Sequence, residues 1–219
     1  MQRRTFALST LASLAALATL AACQRQPDAP AAAPAAASSG TGAAPAATNT
    51  AATEAPASVP AAAKDVYTLA ASGNGFSTGP IMSSHTVYVF FDTTCPHCAH
   101  LWQNAQTVAG QLKVVWIPIG LLRPQSTPQG ATILAAAEPV AAMNENEASV
   151  ANHGNGITAS TSLDEAVLAK VKANTALFNQ FNSDSVPLIV YRNGKTGEVG
   201  QHAGAVTAAE LLAFAGIGA

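Results

Sequence analysis

Hydrophobic and polar positions divide the chain into two unlike parts. Before residue 64 the apolar positions are mostly alanine, mixed with Pro, Ser, Thr and Gly. From Lys64 onward the pattern turns globular. Residues 61–71 read as a helix that ends near Gly73-Asn74-Gly75. Thr86-Val87-Tyr88-Val89-Phe90-Phe91 is a β-branched and aromatic run, which predicts a buried strand. A helix follows from about Pro96 to Gly110. Its apolar stripe is Cys98, Leu101, Ala105, Val108 and Leu112, at spacings of three and four. Lys113 to Pro118 reads as a second buried strand. Strand, helix and strand in close succession form a βαβ unit with a parallel pair.

A helical stretch comes next. Thr127-Pro128 suggests an N-cap followed by proline at the first helical position. Pro139 should break or restart that helix. Asn152-His153-Gly154-Asn155-Gly156 reads as a turn. Ser162-Leu163-Asp164-Glu165 has the spacing of a capping box and should open a helix to about Phe181. Residues 187–192 predict a strand, which Asn193-Gly194-Lys195 turns into an antiparallel partner over 198–203. Thr207-Ala208-Ala209-Glu210 is a further capping box that opens a terminal helix. The fold class is α/β, in the order βαβ, helical insertion, ββα.

Composition sharpens the N-terminal part. Gln2-Arg3-Arg4 is a short basic segment, and 5–19 is apolar but too short and alanine-rich for a membrane span. Leu20-Ala21-Ala22-Cys23 resembles a bacterial lipobox. Residues 1–22 are therefore expected to be a lipoprotein-type signal peptide, with Cys23 the lipidated residue. A plain signal peptide is the alternative, and Arg3-Arg4 leaves the export route open between Sec and twin-arginine. Gln24 after the cysteine suggests outer-membrane sorting. Residues 23–63 read as a disordered tether, because such a composition cannot bury enough apolar surface to offset its ordering entropy. The domain proper is 64–219. Net charge is −2 and becomes more negative once Arg3 and Arg4 are removed, which argues against nucleic acid as a partner.

The chain has three cysteines. With Cys23 lipidated, only Cys95 and Cys98 remain, so no disulfide framework can form. A bridge between them would close almost no loop and would stabilise little, which points to reversible redox chemistry. Thiol-disulfide exchange needs a thiolate nucleophile and a second thiol to resolve the mixed disulfide. Cys95 stands at a predicted strand-to-helix junction, where unpaired helix amides favour an anion. Pro96 fits the first helical position, and His97 can add a donor or a positive charge. Cys98 lies one turn on, within the apolar stripe. Cys95 is thus the expected nucleophile and Cys98 the resolver. No metal and no cofactor beyond a redox-active Cys95-Cys98 disulfide is expected. A competing reading takes Cys95, Cys98, His97 and His100 as ligands of a copper or zinc chaperone, but no second cysteine pair completes a tetrahedral site.

The run Tyr88 to Cys98, with Leu101-Trp102 after it, resembles the catalytic domain of the periplasmic Dsb thiol:disulfide interchange proteins of the DsbC/DsbG group. Residues 121–126 and 131–139 are similar to that group's segment after the second strand, and Val186-Pro187 looks like its cis-proline loop. The resemblance covers about 87–219. It implies a thioredoxin fold, protein thiol-disulfide oxidoreductase activity, and substrate binding by Val186 and Pro187 beside the cysteines. Partners would be proteins with cysteines or disulfides and a membrane electron donor of the DsbD type.

Three departures change the expectation. The space of the group's N-terminal dimerisation domain is expected to hold the Ala/Pro tether and at most one helix, so a monomer is expected. The Cys95-Pro96-His97-Cys98 dipeptide is that of the oxidase DsbA, which leaves a disulfide-donor role open. Val89 stands where thioredoxin keeps a buried acid, so no such proton relay is expected. The leading reading is a lipid-anchored periplasmic reductase of protein disulfides or sulfenic acids.

Overall fold

The computed structural model describes residues 65–218. The expected signal peptide, Cys23 and the tether lie outside the described residues.

Five strands form one sheet in the order β1-β3-β2-β4-β5. The strands are β1 (Phe76–Thr78), β2 (Thr86–Asp92), β3 (Lys113–Ile119), β4 (Leu188–Arg192) and β5 (Val199–Ala203). β2 and β3 run parallel, from Thr86 beside Lys113 to Asp92 beside Ile119. β1, β4 and β5 join antiparallel to β3, β2 and β4 respectively. The helices are α1 (Val66–Ala70), α2 (Pro96–Gln106), α3 (Ser126–Ala135), α4 (Pro139–Ala151), α5 (Glu165–Phe178) and α6 (Ala208–Phe214). A single 3-10 turn, Asn179–Phe181, follows α5. This is the α/β element order expected from the sequence and the thioredoxin fold that the resemblance implies, with α3, α4 and α5 as the helical insertion.

Alternation along β2 explains how the sheet is covered. Successive strand residues face opposite sides. Phe90 meets Phe178 and Phe181 at ring-centroid distances of 6.0 and 5.1 Å. Phe91 meets Trp116 of β3 at 6.1 Å, and Trp116 meets Trp102 of α2 at 4.8 Å. Both indoles have a polar partner: Trp116 Nε1 donates to Thr78 Oγ1, and Trp102 Nε1 donates to Asn144 Oδ1 of α4. The α2 stripe is buried along its whole length, including Val108 and Leu112 beyond the last helical residue.

Several boundaries differ from the sequence expectation. α2 ends at Gln106, and i→i+3 bonds from Thr107 and Val108 tighten its last turn. α3 begins at Ser126, with Gln125 at the N-cap and no side-chain cap, so Thr127 lies inside the first turn instead of capping it. Pro128 then sits in the first turn, where its missing N–H costs nothing. The cap of α5 is Asp164, which accepts from Ala166 N at 2.8 Å, so the Ser162 capping box does not form. The Thr207–Glu210 capping box of α6 does form in both directions. The edge strand β1 was not expected; three residues are too few to carry a period. Among the described residues no helix is long and apolar enough to cross a membrane.

Leu101 is fully buried on the face of α2 that carries Cys98. Leu101→Ala should lower the unfolding free energy of the reduced protein by roughly 2–5 kcal/mol, read as a fall in urea midpoint at unchanged m-value.

Candidate active site

The C-terminal end of β2 is organised by one carboxyl group. Asp92 is completely buried and takes five hydrogen bonds. Oδ1 accepts from Thr94 N, Thr94 Oγ1 and Ser126 Oγ at 2.9, 2.8 and 2.7 Å. Oδ2 accepts from Leu121 N and Leu122 N, both at 2.9 Å. These bonds tie the turn before Cys95 to the loop after β3 and to the start of α3. Asp92 is thus a buried cap for the loops at the strand end, not a solvated carboxylate.

The next turn is clamped from the insertion. Thr93 Oγ1 donates to Gln129 Oε1 of α3, and Thr93 O accepts from Asn146 Nδ2 of α4 at 2.9 Å. Thr93, Gln129 and Asn146 are all buried. Cys95 is the N-cap of α2 in an extended conformation, and Pro96 occupies the first helical turn.

β4 brings the second half of the site. Its antiparallel register sets Leu188 beside Phe90, which carries the preceding Val186-Pro187 segment up to the cysteines. The Val186-Pro187 peptide bond is cis, and the Cys95 thiol donates to Val186 O at 3.5 Å. A groove of about 650 Å³ opens over this point, lined by Cys95, His97, Leu122, Ser185, Val186 and Gly204 among others. The structure thus brings Cys95, Pro96, His97, Val186 and Pro187 together, with Cys98 beneath.

The two thiols are in opposite electrostatic situations. Cys95 is lowered to about 7, above all because the Cys98 thiol donates to its sulfur. Burial opposes this, while the backbone N–H groups of Cys98 and His97 and the His97 charge assist. The helix end and His97, which the sequence put first, are therefore the smaller contributions. Cys98 is fully buried and its thiol is raised well above the ordinary value, first by burial and then by its hydrogen bond to Cys95.

The sequence missed a buried acid. Val89 is buried and apolar, but Glu147 of α4 is 1% exposed and acts electrostatically on Cys98. Burial raises it to about 8, against a stabilising hydrogen bond from Asn146, and the Cys95 and Asp92 charges raise it further. The available signal was Met143, Glu147 and Val150 at helical spacing, an acid within an apolar stripe. The other histidines are away from the thiols: His85 bonds Ala215 O at 3.0 Å, and His202 packs on Phe214. Among the described residues no group of three or more His, Cys, Asp or Glu side chains is placed to hold a metal.

Two outcomes follow from this geometry. Alkylation of reduced Cys95 by iodoacetamide should rise with pH about a midpoint near 7. The folded value lies below that of an unfolded cysteine, about 8.5. The stability gained from the thiolate is therefore complete above the unfolded value and is lost as pH falls through 7. Asp92→Ala strands the Asp92 donors in the interior and should cost roughly 3–5 kcal/mol, measured by urea denaturation.

The comparisons agree with this construction. Residues 81–216 match the model of the thioredoxin-like domain. The thiol:disulfide interchange protein DsbG of Pseudomonas aeruginosa is 25% identical over 156 residues, covering 70% of this chain and 60% of that protein. DsbG of Escherichia coli is 28% identical over 107 residues, covering 48% of this chain and 42% of that protein. The chain thus spans about half the length of these two relatives. A periplasmic thioredoxin-like protein from Salmonella enterica serovar Typhimurium shares the fold at TM-score 0.55 and 16% identity, over 69% of this chain and 94% of that one. By its sequence match across most of the described residues, its sheet topology and its Cys95-to-Cys98 turn, the chain belongs to the thioredoxin-like domain family.

Proposed function

We propose that the protein is a periplasmic thiol-disulfide oxidoreductase that reduces protein disulfides or cysteine sulfenic acids. The observation that carries this reading is the asymmetry of the two thiols. Cys95 lies on the floor of the groove with its thiol lowered to about 7, and Cys98 lies wholly beneath it with its thiol raised. A nucleophile that ionises near neutrality and a protonated resolver held in reserve are what two-step exchange needs. The interchange activity named for the two DsbG relatives supports the same reading.

In the first step the Cys95 thiolate attacks a substrate disulfide. A Cys95–substrate disulfide forms and the other substrate sulfur leaves as thiolate. With a sulfenic acid, hydroxide leaves instead and takes a proton to become water. In the second step the Cys98 thiolate attacks Cys95 Sγ. The Cys95-Cys98 disulfide forms, the substrate thiolate departs, and two electrons have passed to the substrate. Val186 would pair with the substrate backbone along the groove, with Pro187 beside it. A membrane donor of the DsbD type would restore the dithiol. Lipid on Cys23 would hold the protein, as a monomer, at the outer membrane.

The His97 contribution to Cys95 favours a second reading, a DsbA-like disulfide donor running the same steps backwards. A metal chaperone is less well supported, because His97 and His100 are exposed while Cys98 is fully buried.

Acid quenching of cells followed by maleimide mass-shift labelling should find Cys95 and Cys98 mostly reduced, and Cys98→Ala should accumulate mixed disulfides through Cys95. Mostly oxidised thiols would replace the reductase with the donor. Tight stoichiometric metal without exchange activity would establish the chaperone.

A further inference from the structure

Glu147 is a buried acid for which the two exchange steps above have no use. Its Oε1 accepts from Asn146 Nδ2 at 3.1 Å, but Oε2 has no hydrogen-bond partner. An unpartnered, fully buried carboxyl oxygen is costly, so a fold that keeps one calls for a reason. Asn146 is itself pinned between Thr93 O and Ile157 N, at 2.9 and 3.0 Å. Glu147 is therefore held rigidly with respect to the turn that carries Cys95.

The acid also sits at a boundary. A cleft of about 420 Å³ separates α2 from α4, lined by Trp102, Gln103, Gln106, Asn144, Glu147 and Ala148. The Trp102–Asn144 hydrogen bond spans the two helices at this cleft. Glu147 thus interacts with the cysteines and also lines a cleft open to solvent, which shares no residue with the substrate groove.

Among the described residues no cation acts on Glu147 to hold it ionised. Cys95 and Cys98 act on it from α2 and Asp92 from β2. His97 and His100 of α2 and Glu145 of α4 are exposed. β1 and α3, the other elements against α4, have no ionisable side chain.

We infer that Glu147 is the proton partner of Cys98, taking the proton of the buried thiol when the mixed disulfide is resolved and returning it when the dithiol is regenerated. The inference rests on the interchange activity proposed above. The sequence of charges is self-consistent. While Cys95 is a thiolate, its charge disfavours ionisation of Glu147. Once Cys95 is bonded to substrate that charge is gone, ionisation of Glu147 against its burial becomes easier, and its proton leaves through the cleft. The carboxylate then accepts the Cys98 proton, Cys98 S⁻ attacks Cys95 Sγ, the Cys95-Cys98 bond forms and the substrate thiolate leaves. No electrons pass through Glu147. It acts through Cys98 and is a positioning residue for that proton.

The test uses the reduced protein and Ellman's reagent. Cys95 attack releases a first thionitrobenzoate, and Cys98 attack on the mixed disulfide releases the second. Stopped-flow records both from about pH 6 to about pH 9 in wild type and Glu147→Gln, a neutral near-isostere. In the variant the first release should change less than about twofold. The second should slow on the order of a hundredfold at neutral pH and keep rising with pH, whereas wild type should level off once Glu147 is ionised. Equal second-phase rates and equal pH slopes in the two proteins would overturn the inference and leave the interchange reading standing. A wild type that never releases the second thionitrobenzoate would overturn both. If Glu147→Gln unfolds, wild-type kinetics decide the matter: a second phase rising tenfold per pH unit throughout means water, and not an internal acid, takes the proton.

Discussion

The active turn hangs on the buried carboxyl of Asp92. A strand that ends in the interior leaves backbone donors of the following loops without partners, and orphaned donors are costly. Asp92 gathers those of Thr94, Leu121 and Leu122, together with two hydroxyls, onto two oxygens. The ends of the two parallel strands and the first turn of α3 are locked into one rigid corner. Cys95 stands three residues beyond Asp92, so its position relative to β4 and to the Val186-Pro187 segment is a consequence of that corner. Thr93, gripped by Gln129 and Asn146, extends the same support to α4.

On this scaffold, chemical difference between two identical side chains arises from depth and from which sulfur receives the hydrogen bonds. Cys95 and Cys98 are one helical turn apart, yet one faces a groove and the other is sealed in the core. Burial penalises the charged form of both. At Cys95 a thiol and backbone amides that point at its sulfur outweigh burial, whereas at Cys98 a single backbone hydrogen bond from Asp92 does not. Cys98 supplies that hydrogen bond and is held protonated by giving it. The two groups form a coupled pair in which stabilising one anion suppresses the other.

Much of the scaffold could be read from local pattern. The alternation of β2 and β3, the three-and-four spacing of α2, Pro139 at the start of α4 and the Thr207–Glu210 box are short-range features whose energetics lie within a few residues. Where the reading failed, a distant group had competed for a local one. Thr127 does not cap α3, because the helix already starts at Ser126, whose hydroxyl donates to Asp92, 34 residues away in sequence. Ser162 loses its capping role to Asp164 because the chain enters α5 two residues later. β1 exists only because β3 offers it an edge.

The sequence by itself determined the α/β order, the buried stripe of α2 and the placement of two cysteines at a strand-to-helix junction, because periodicity, proline and cap preferences act within one element. It also determined that any redox pair in the domain must be Cys95 and Cys98, since the domain has no other cysteine. Only the tertiary structure decided which acid lies beside the thiols. A position six residues before Cys95 offered valine, while α4, folded back across α2 from some 50 residues downstream, delivered Glu147. It likewise decided that Asp92 is a structural hub and that Cys98 is the main stabiliser of the Cys95 thiolate. Burial and hydrogen bonding between residues far apart in the chain are set by packing, and local pattern does not encode them.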